Sequence, residues 1–260
     1  YAYVVNNPLR YIDPSGMAVE EIEGGVRFTE EDAKSAYMIF TGKTKNAYIE
    51  VKKSKKTRDS YNAEDKKVQN GAWSVFAVSS LKTGAAVMGA LSNGQLDNLI
   101  VLNHGIDGRE NSLFAIEENI NMSEDNSIST SEIQSYNAKG GKDLTDGEKE
   151  VNIFTTMASK VRDKGNFIFN FCEVGKGQHG KTTLAELKIL LADRINIYLP
   201  TSFVATPSLL YDTGRGLNAN GVLNYDSNTK WIRSKPGVKD ALKVNSIQMS
   251  KKSESPIKIN

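Results

Sequence analysis

A chain of 260 residues can hold one sizeable α/β domain with an appendage and bury an ordinary hydrophobic core. Basic and acidic residues nearly balance, 33 against 31, so the net charge of +2 supplies no global field for nucleic acid or an anionic lipid surface. Apolar runs stop at about eight residues against the roughly twenty that a helical span needs, and a single cysteine excludes an internal disulfide, leaving Cys172 a packing, metal or nucleophilic role.

In chain order, Tyr1 to Met17 alternates apolar and polar residues and then breaks at Asn7-Pro8 and Asp13-Pro14-Ser15-Gly16, a strand followed by two turns. Such an opening, with no charged-then-apolar leader, is expected where a chain begins mid-protein. Thr29, Glu30 and Glu31 ahead of Ala33 to Phe40, with Gly42 as a stop, predict a helix. Ala47 to Val51 alternates as a short strand, and a polar connection follows. Its run of Lys52, Lys53, Lys55, Lys56 and Arg58 reads as a solvated loop.

Trp73 to Ser79 predicts a second strand, Ser80 to Leu91 a helix, and Asn98 to Asn103 a strand ending on His104-Gly105, together a βαβ unit. Residues 108–145 are polar apart from a hairpin around Leu113 to Ile116 and a short helix starting near Ser129. Val151, Phe154, Met157, Ala158 and Val161, at helical spacing, predict one helix over Thr145 to Lys164. It feeds the strand Asn166 to Phe171, which ends on Cys172. A glycine-rich flap, a helix from Thr182 to Asp193, a strand from Ile195 to Leu199 and a strand candidate at Trp231 to Arg233 complete the pass. The pattern predicts an α/β fold, a three-layer α/β/α sandwich around a mostly parallel sheet, with right-handed crossovers bringing every strand's carboxyl end to one edge.

His104 and Cys172 would share that edge. Taken singly, a lone thiol is core filling and a strand-end histidine is satisfied by backbone. Taken together they suit nucleophilic catalysis, because an imidazole that accepts the thiol's proton makes a thiolate. Acyl transfer also needs donors for an oxyanion, and the N–H groups of Gly105 and Cys172 are the candidates. Asp107, Asn170 and Glu173 are candidate pocket residues on sequence proximity alone. A competing motif overlaps them: Gly175-Lys176-Gly177-Gln178-His179-Gly180-Lys181-Thr182 matches the phosphate-loop pattern, with Lys181 on phosphates and Thr182 on Mg²⁺. No later strand ends in the aspartate such a site needs, and that reading leaves His104-Gly105 unexplained. A nuclease would require a His/Asp/Glu cluster or basic stripe, and two histidines leave too few ligands for a metal site. A non-enzymatic toxin domain is the remaining alternative. We expect no cofactor.

Two resemblances sharpen this reading. Tyr1 to Met17 closely resembles the end of the Rhs/YD-repeat core, where Tyr-x-Tyr-x-x-Asn-Asn-Pro-Leu followed by Asp-Pro-x-Gly marks the end of a β-cocoon shell and the start of a variable toxin. The resemblance implies self-cleavage between Met17 and Ala18, with Asp13 contributing, although the family more often has Leu where Met17 stands. It also implies secretion, delivery into the cytoplasm of a target cell, and a cognate immunity protein. From about Trp73 to Ala205 the chain resembles the caspase-like (clan CD) cysteine peptidases, especially the CHAT branch. The shared features are Leu99 to Gly105, Phe167 to Gly175, and a connecting helix near Ile128 to Ile133. That likeness implies Cys172 as nucleophile, His104 as general base, Gly105 and Cys172 as oxyanion donors, and a protein substrate. Phe171 departs from the small residue usual before the cysteine. The implied organisation is 1–17 as the end of the Rhs core, 18–65 as an N-terminal effector segment, and 66–260 as the peptidase domain with a C-terminal extension.

Overall fold

The computed structural model describes residues 19–22, 25–28, 45–51, 73–89, 91–106, 113–116, 126–204, 222–223 and 229–248. Residues 1–18 with Asp13, Met17 and Ala18, the helix expected near 29–42, the basic run at 52–58 and Asp107 lie outside these residues. The described elements are β1 (Val19–Ile22), β2 (Gly25–Phe28), β3 (Asn46–Val51), β4 (Trp73–Val78), α1 (Leu81–Met88), β5 (Leu96–Asn103), β6 (Gly105–Ile106), β7 (Leu113–Ala115) and β8 (Ser127–Ser129). They continue with α2 (Thr130–Lys139), α3 (Asp146–Glu150), α4 (Asn152–Ser159), β9 (Val161–Phe171), α5 (Gly177–Leu190) and β10 (Asn196–Pro200). β11 (Val222–Leu223), β12 (Trp231–Ser234), β13 (Leu242–Val244) and β14 (Ile247–Gln248) follow.

The fold is α/β: a mostly parallel seven-stranded sheet in the order β13-β12-β10-β9-β5-β3-β4, flanked by helices and compatible with a three-layer α/β/α sandwich. β4, β3, β5, β9 and β10 run parallel, whereas β12 is antiparallel to β10 and so sends its carboxyl end to the opposite edge. β3 pairs with both β4 and β5, which puts it inside the sheet. β3, which precedes residue 66, thus belongs to the same sheet as β4 and β5.

Alternation divides each central strand between two apolar faces, as a sheet buried on both sides requires. On one face Ile49, Leu99, Val101, Phe167, Phe169 and Ile197 join residues of α1, α4 and α5 in the main core. The Phe169 ring meets Phe154 edge-on at 5.2 Å and Phe114 at 5.5 Å. On the other face Tyr48, Ile100, Ile168, Tyr198, Trp231 and Ile247 form a second cluster.

The single helix expected from Thr145 to Lys164 is instead two short helices and the start of β9. Arg194 explains the early stop: its guanidinium donates to the Ala158 carbonyl at 2.7 Å and the Val161 carbonyl at 2.6 Å, taking acceptors a longer helix would use. The Arg162–Asp97 ion pair then helps hold β9 beside β5. The helix expected from Thr182 begins at Gly177, so the stretch read as a flap is largely helical. Gly180 permits this, because a side chain there would overlap the Gly175 backbone.

Ser129 with Glu132, and Thr145 with Glu148, form capping boxes that start α2 and α3. Glu148 is buried, receives the Lys139 ammonium at 2.7 Å and the Thr145 N–H at 2.7 Å, and accepts from the Ser135 hydroxyl. Lys139 first, then Ser135 and the Thr145 N–H, hold its carboxyl down at about 2 from an ordinary 4.5. A lowered carboxylate stabilises the fold above its ordinary value, and that contribution disappears as pH falls through about 2. Glu148→Gln should therefore lower the urea midpoint at about neutral pH, and the difference from wild type should shrink towards pH about 2. A difference that stays constant across that range would refute this role.

Candidate active site

Parallel pairing of β5 with β9 sets the site. Its register runs Leu99↔Phe167, Val101↔Phe169 and Asn103↔Phe171, so the next residue on each strand is His104 on one side and Cys172 on the other. They stand side by side at the carboxyl edge, where open α/β sheets place their functional groups. His104 is exposed and Cys172 half-buried, so the pair lies at the surface while the strands beneath it are enclosed. Continued alternation puts both on the face that carries Leu102, Ile100 and Ile168. In agreement, Cys172 Sγ lies 3.9 Å from the carbonyl oxygen of Val204, a residue packed against that face.

The histidine side is fixed by Asn103. Its Oδ1 accepts the His104 N–H at 2.8 Å and its Nδ2 donates to the Ala115 carbonyl at 2.6 Å, while the Ala115 N–H donates back to the His104 carbonyl at 3.3 Å. Gly105 then turns away to pair with Phe114 of β7 in a three-stranded sheet, β6-β7-β8. No other residue fits at 105, because a Cβ would fall into the Cys172 carbonyl and lie 3.0 Å from the Cys172 nitrogen.

On the cysteine side the chain bends at once. Glu173 adopts a left-handed φ of 59° and its N–H donates to the Ser202 carbonyl at 3.1 Å, while the Gly175 N–H donates to the Pro200 carbonyl at 2.8 Å. The Glu173 carboxylate pairs with Lys176 at 2.5 Å, which makes it part of the turn. Phe171, the departure noted before Cys172, points to the opposite face, where its ring meets Phe114 at 5.4 Å and 68°. Phe114 is thus packed against the end of the cysteine strand and paired with the glycine that follows the histidine. Asn170, two residues before Cys172 on its face, is fully buried with neither amide atom hydrogen-bonded.

Sequence reasoning missed four contributors. Asn103 and Phe114 position the strand ends; Glu50, buried at the end of β3, pairs in register with Leu102 and so lies beside the same row; Val204 lies against the thiol. Phe114, Glu50 and Val204 are distant in sequence from the residues they meet, and Asn103, though adjacent to His104, takes its role from its bond to Ala115.

The phosphate-loop motif is not brought into an open loop. Gln178 to Thr182 are helical, the Gly180 N–H donates to the Lys176 carbonyl at 3.0 Å, and Thr182 Oγ1 donates to the Gln178 carbonyl at 3.2 Å. Backbone donors that would cradle a phosphate are thus partly spent within the helix. Among the described residues no group of three His, Cys, Asp or Glu side chains could hold a metal ion, and no helix is long and apolar enough to cross a membrane. The chain matches no family model, no curated protein and no solved structure.

Gly105→Ala should force the β5 and β9 ends apart and lower the urea midpoint, because a side chain there overlaps the Cys172 carbonyl. Gly177→Ala, where space is open and the cost is only that of a left-handed φ of 64°, serves as the comparison. Equal urea midpoints for Gly105→Ala and wild type would contradict the close approach.

Proposed function

We propose that this chain is the effector end of an Rhs-type polymorphic toxin and that its α/β domain is a caspase-like cysteine endopeptidase. The observation that carries the reading is the β5–β9 register, which sets His104 and Cys172 next to each other at one sheet edge. The Cys172 thiolate attacks a peptide carbonyl and forms a C–S bond. His104, having taken the thiol proton, gives it to the leaving amine as the C–N bond breaks. Water, deprotonated by His104, then hydrolyses the thioester and returns the thiol. Oxyanion stabilisation falls to the Gly105 and Cys172 N–H groups, and the tight Gly105 contact supports their convergence.

The buried, unpartnered amide of Asn170 is suited to form part of the substrate pocket beneath the thiol. Glu173, held by Lys176, shapes the turn that presents the thiol. Asp107 remains a candidate pocket residue on sequence alone. Released after Met17, the effector acts on proteins in the cytoplasm of a target cell. A cognate immunity protein that covers the carboxyl edge would block both catalytic residues at once, and the upstream Rhs shell would sequester the effector before delivery.

Expression of the full chain in sensitive cells lacking an immunity protein tests this. Cys172→Ala and His104→Ala should each lose toxicity, with peptide hydrolysis down at least about 10³-fold, whereas Lys181→Ala should remain toxic. Full toxicity in Cys172→Ala would exclude the peptidase.

A further inference from the structure

At the opposite, amino-terminal edge of the sheet lies a cavity of about 510 Å³ whose lining, among the described residues, includes Lys164, Arg233, Lys235, Asn166 and Asn196, and no carboxylate. Asn166 and Asn196 bring the end of an asparagine ladder to its floor. Asn46, Asn98, Asn166 and Asn196 occupy the same register on four neighbouring strands. Each Nδ2 donates to the preceding Oδ1, at 2.7 Å from Asn98, 2.8 Å from Asn166 and 3.0 Å from Asn196. Arg233 Nη2 ends the ladder, donating to Asn196 Oδ1 at 2.9 Å.

Arg233 and Lys235, above this floor, have no acidic partner among the described residues. Arg233 stacks over the Tyr198 ring at 5.2 Å from its centroid, its buried Nε has no acceptor, and a neutral amide is its hydrogen-bond partner. A half-buried guanidinium without a counter-charge is costly unless an anion completes it. Lys235 adds an exposed ammonium. Lys164 is carried out by an irregularity in β9, which spends five steps from Val161 to Asn166 against two on β5, and Lys164 takes a left-handed φ of 60°. Of the carboxylates close by in sequence, Asp163 pairs with Arg194 at 3.0 Å and Asp97 pairs with Arg162.

We propose that this cavity binds a phosphate-rich anionic ligand, with Arg233 and Lys235 as the clamp. Arg233 offers planar, directional donors and Lys235 supplies mobile charge, the pairing that suits clustered phosphates. The site is separate from the dyad. Asn166 and Cys172 are six residues apart on one extended strand, about 20 Å.

Inorganic tripolyphosphate titrated into the full chain, followed by thermal shift and calorimetry, is the test. Binding should weaken with salt, and Lys235→Ala and Arg233→Gln should each weaken it about tenfold, while Lys181→Ala should leave it unchanged. Lys235→Ala keeps the test valid should loss of the partly buried Arg233 impair folding. Phosphatidylcholine vesicles with and without phosphoinositide form a second arm. Vesicle capture lost in Lys235→Ala assigns the phosphates to a lipid headgroup, and tripolyphosphate binding without capture assigns them to a soluble ligand; both support the site. Absence of binding in both arms, binding indifferent to both pocket variants, or loss in Lys181→Ala would overturn it. Because the readout is binding, the result stands apart from whether Cys172 is catalytic.

Discussion

The parallel pairing of β5 with β9 is the constraint on which the site depends. A side-chain period of two means that a slip of one residue would send His104 and Cys172 to opposite faces. The register is fixed from both sides of the sheet. On one face the Leu99, Val101, Phe167 and Phe169 side chains are enclosed with the helices. On the other, Asn98 and Asn166 are joined by a side-chain hydrogen bond at 2.8 Å that would not form in a shifted pairing. Apolar burial supplies most of the stabilisation and the amides supply the specificity, since a buried amide left unpaired costs more than a paired one gains.

The two edges of the sheet are made differently. At the carboxyl edge the chain leaves each strand abruptly, through a glycine pressed against Cys172 on one side and a left-handed Glu173 on the other. Phe114 packs against one of these endings and pairs with the other, so the short β6-β7-β8 sheet serves as a brace for the site. At the amino edge the asparagine ladder keeps four strands aligned and ends on a cation.

Strand endings were legible in the sequence because buried parallel strands are continuous apolar runs, and Leu99 to Leu102 and Phe167 to Phe171 are such runs. β3 was legible as a strand, but its place between β4 and β5 was not, since a strand's neighbours are decided by long-range pairing. The helix that stops at Ser159 looked longer because Val161 continues its apolar spacing. What stops it is Arg194, more than thirty positions away in sequence. The glycines of residues 175–180 suggested a loop because glycine favours loops, yet here Gly180 serves contact with the Gly175 backbone inside a helix. Asn103 and Phe114 escaped notice for the same reason: a polar strand end and an isolated aromatic acquire their role from partners the linear order does not show.

The adjacency of His104 and Cys172 can be measured without reference to any substrate. Cys172 is the only cysteine in the chain, so His104→Cys creates a protein with a single pair of thiols. Neighbouring parallel strands lie about 4.8 Å apart, inside the Cα separation that a disulfide spans. Mild oxidation followed by mass spectrometry of the digest should reveal an intramolecular link between positions 104 and 172. Two thiols that both remain free after oxidation of the folded protein would contradict the register, and the proposed dyad with it.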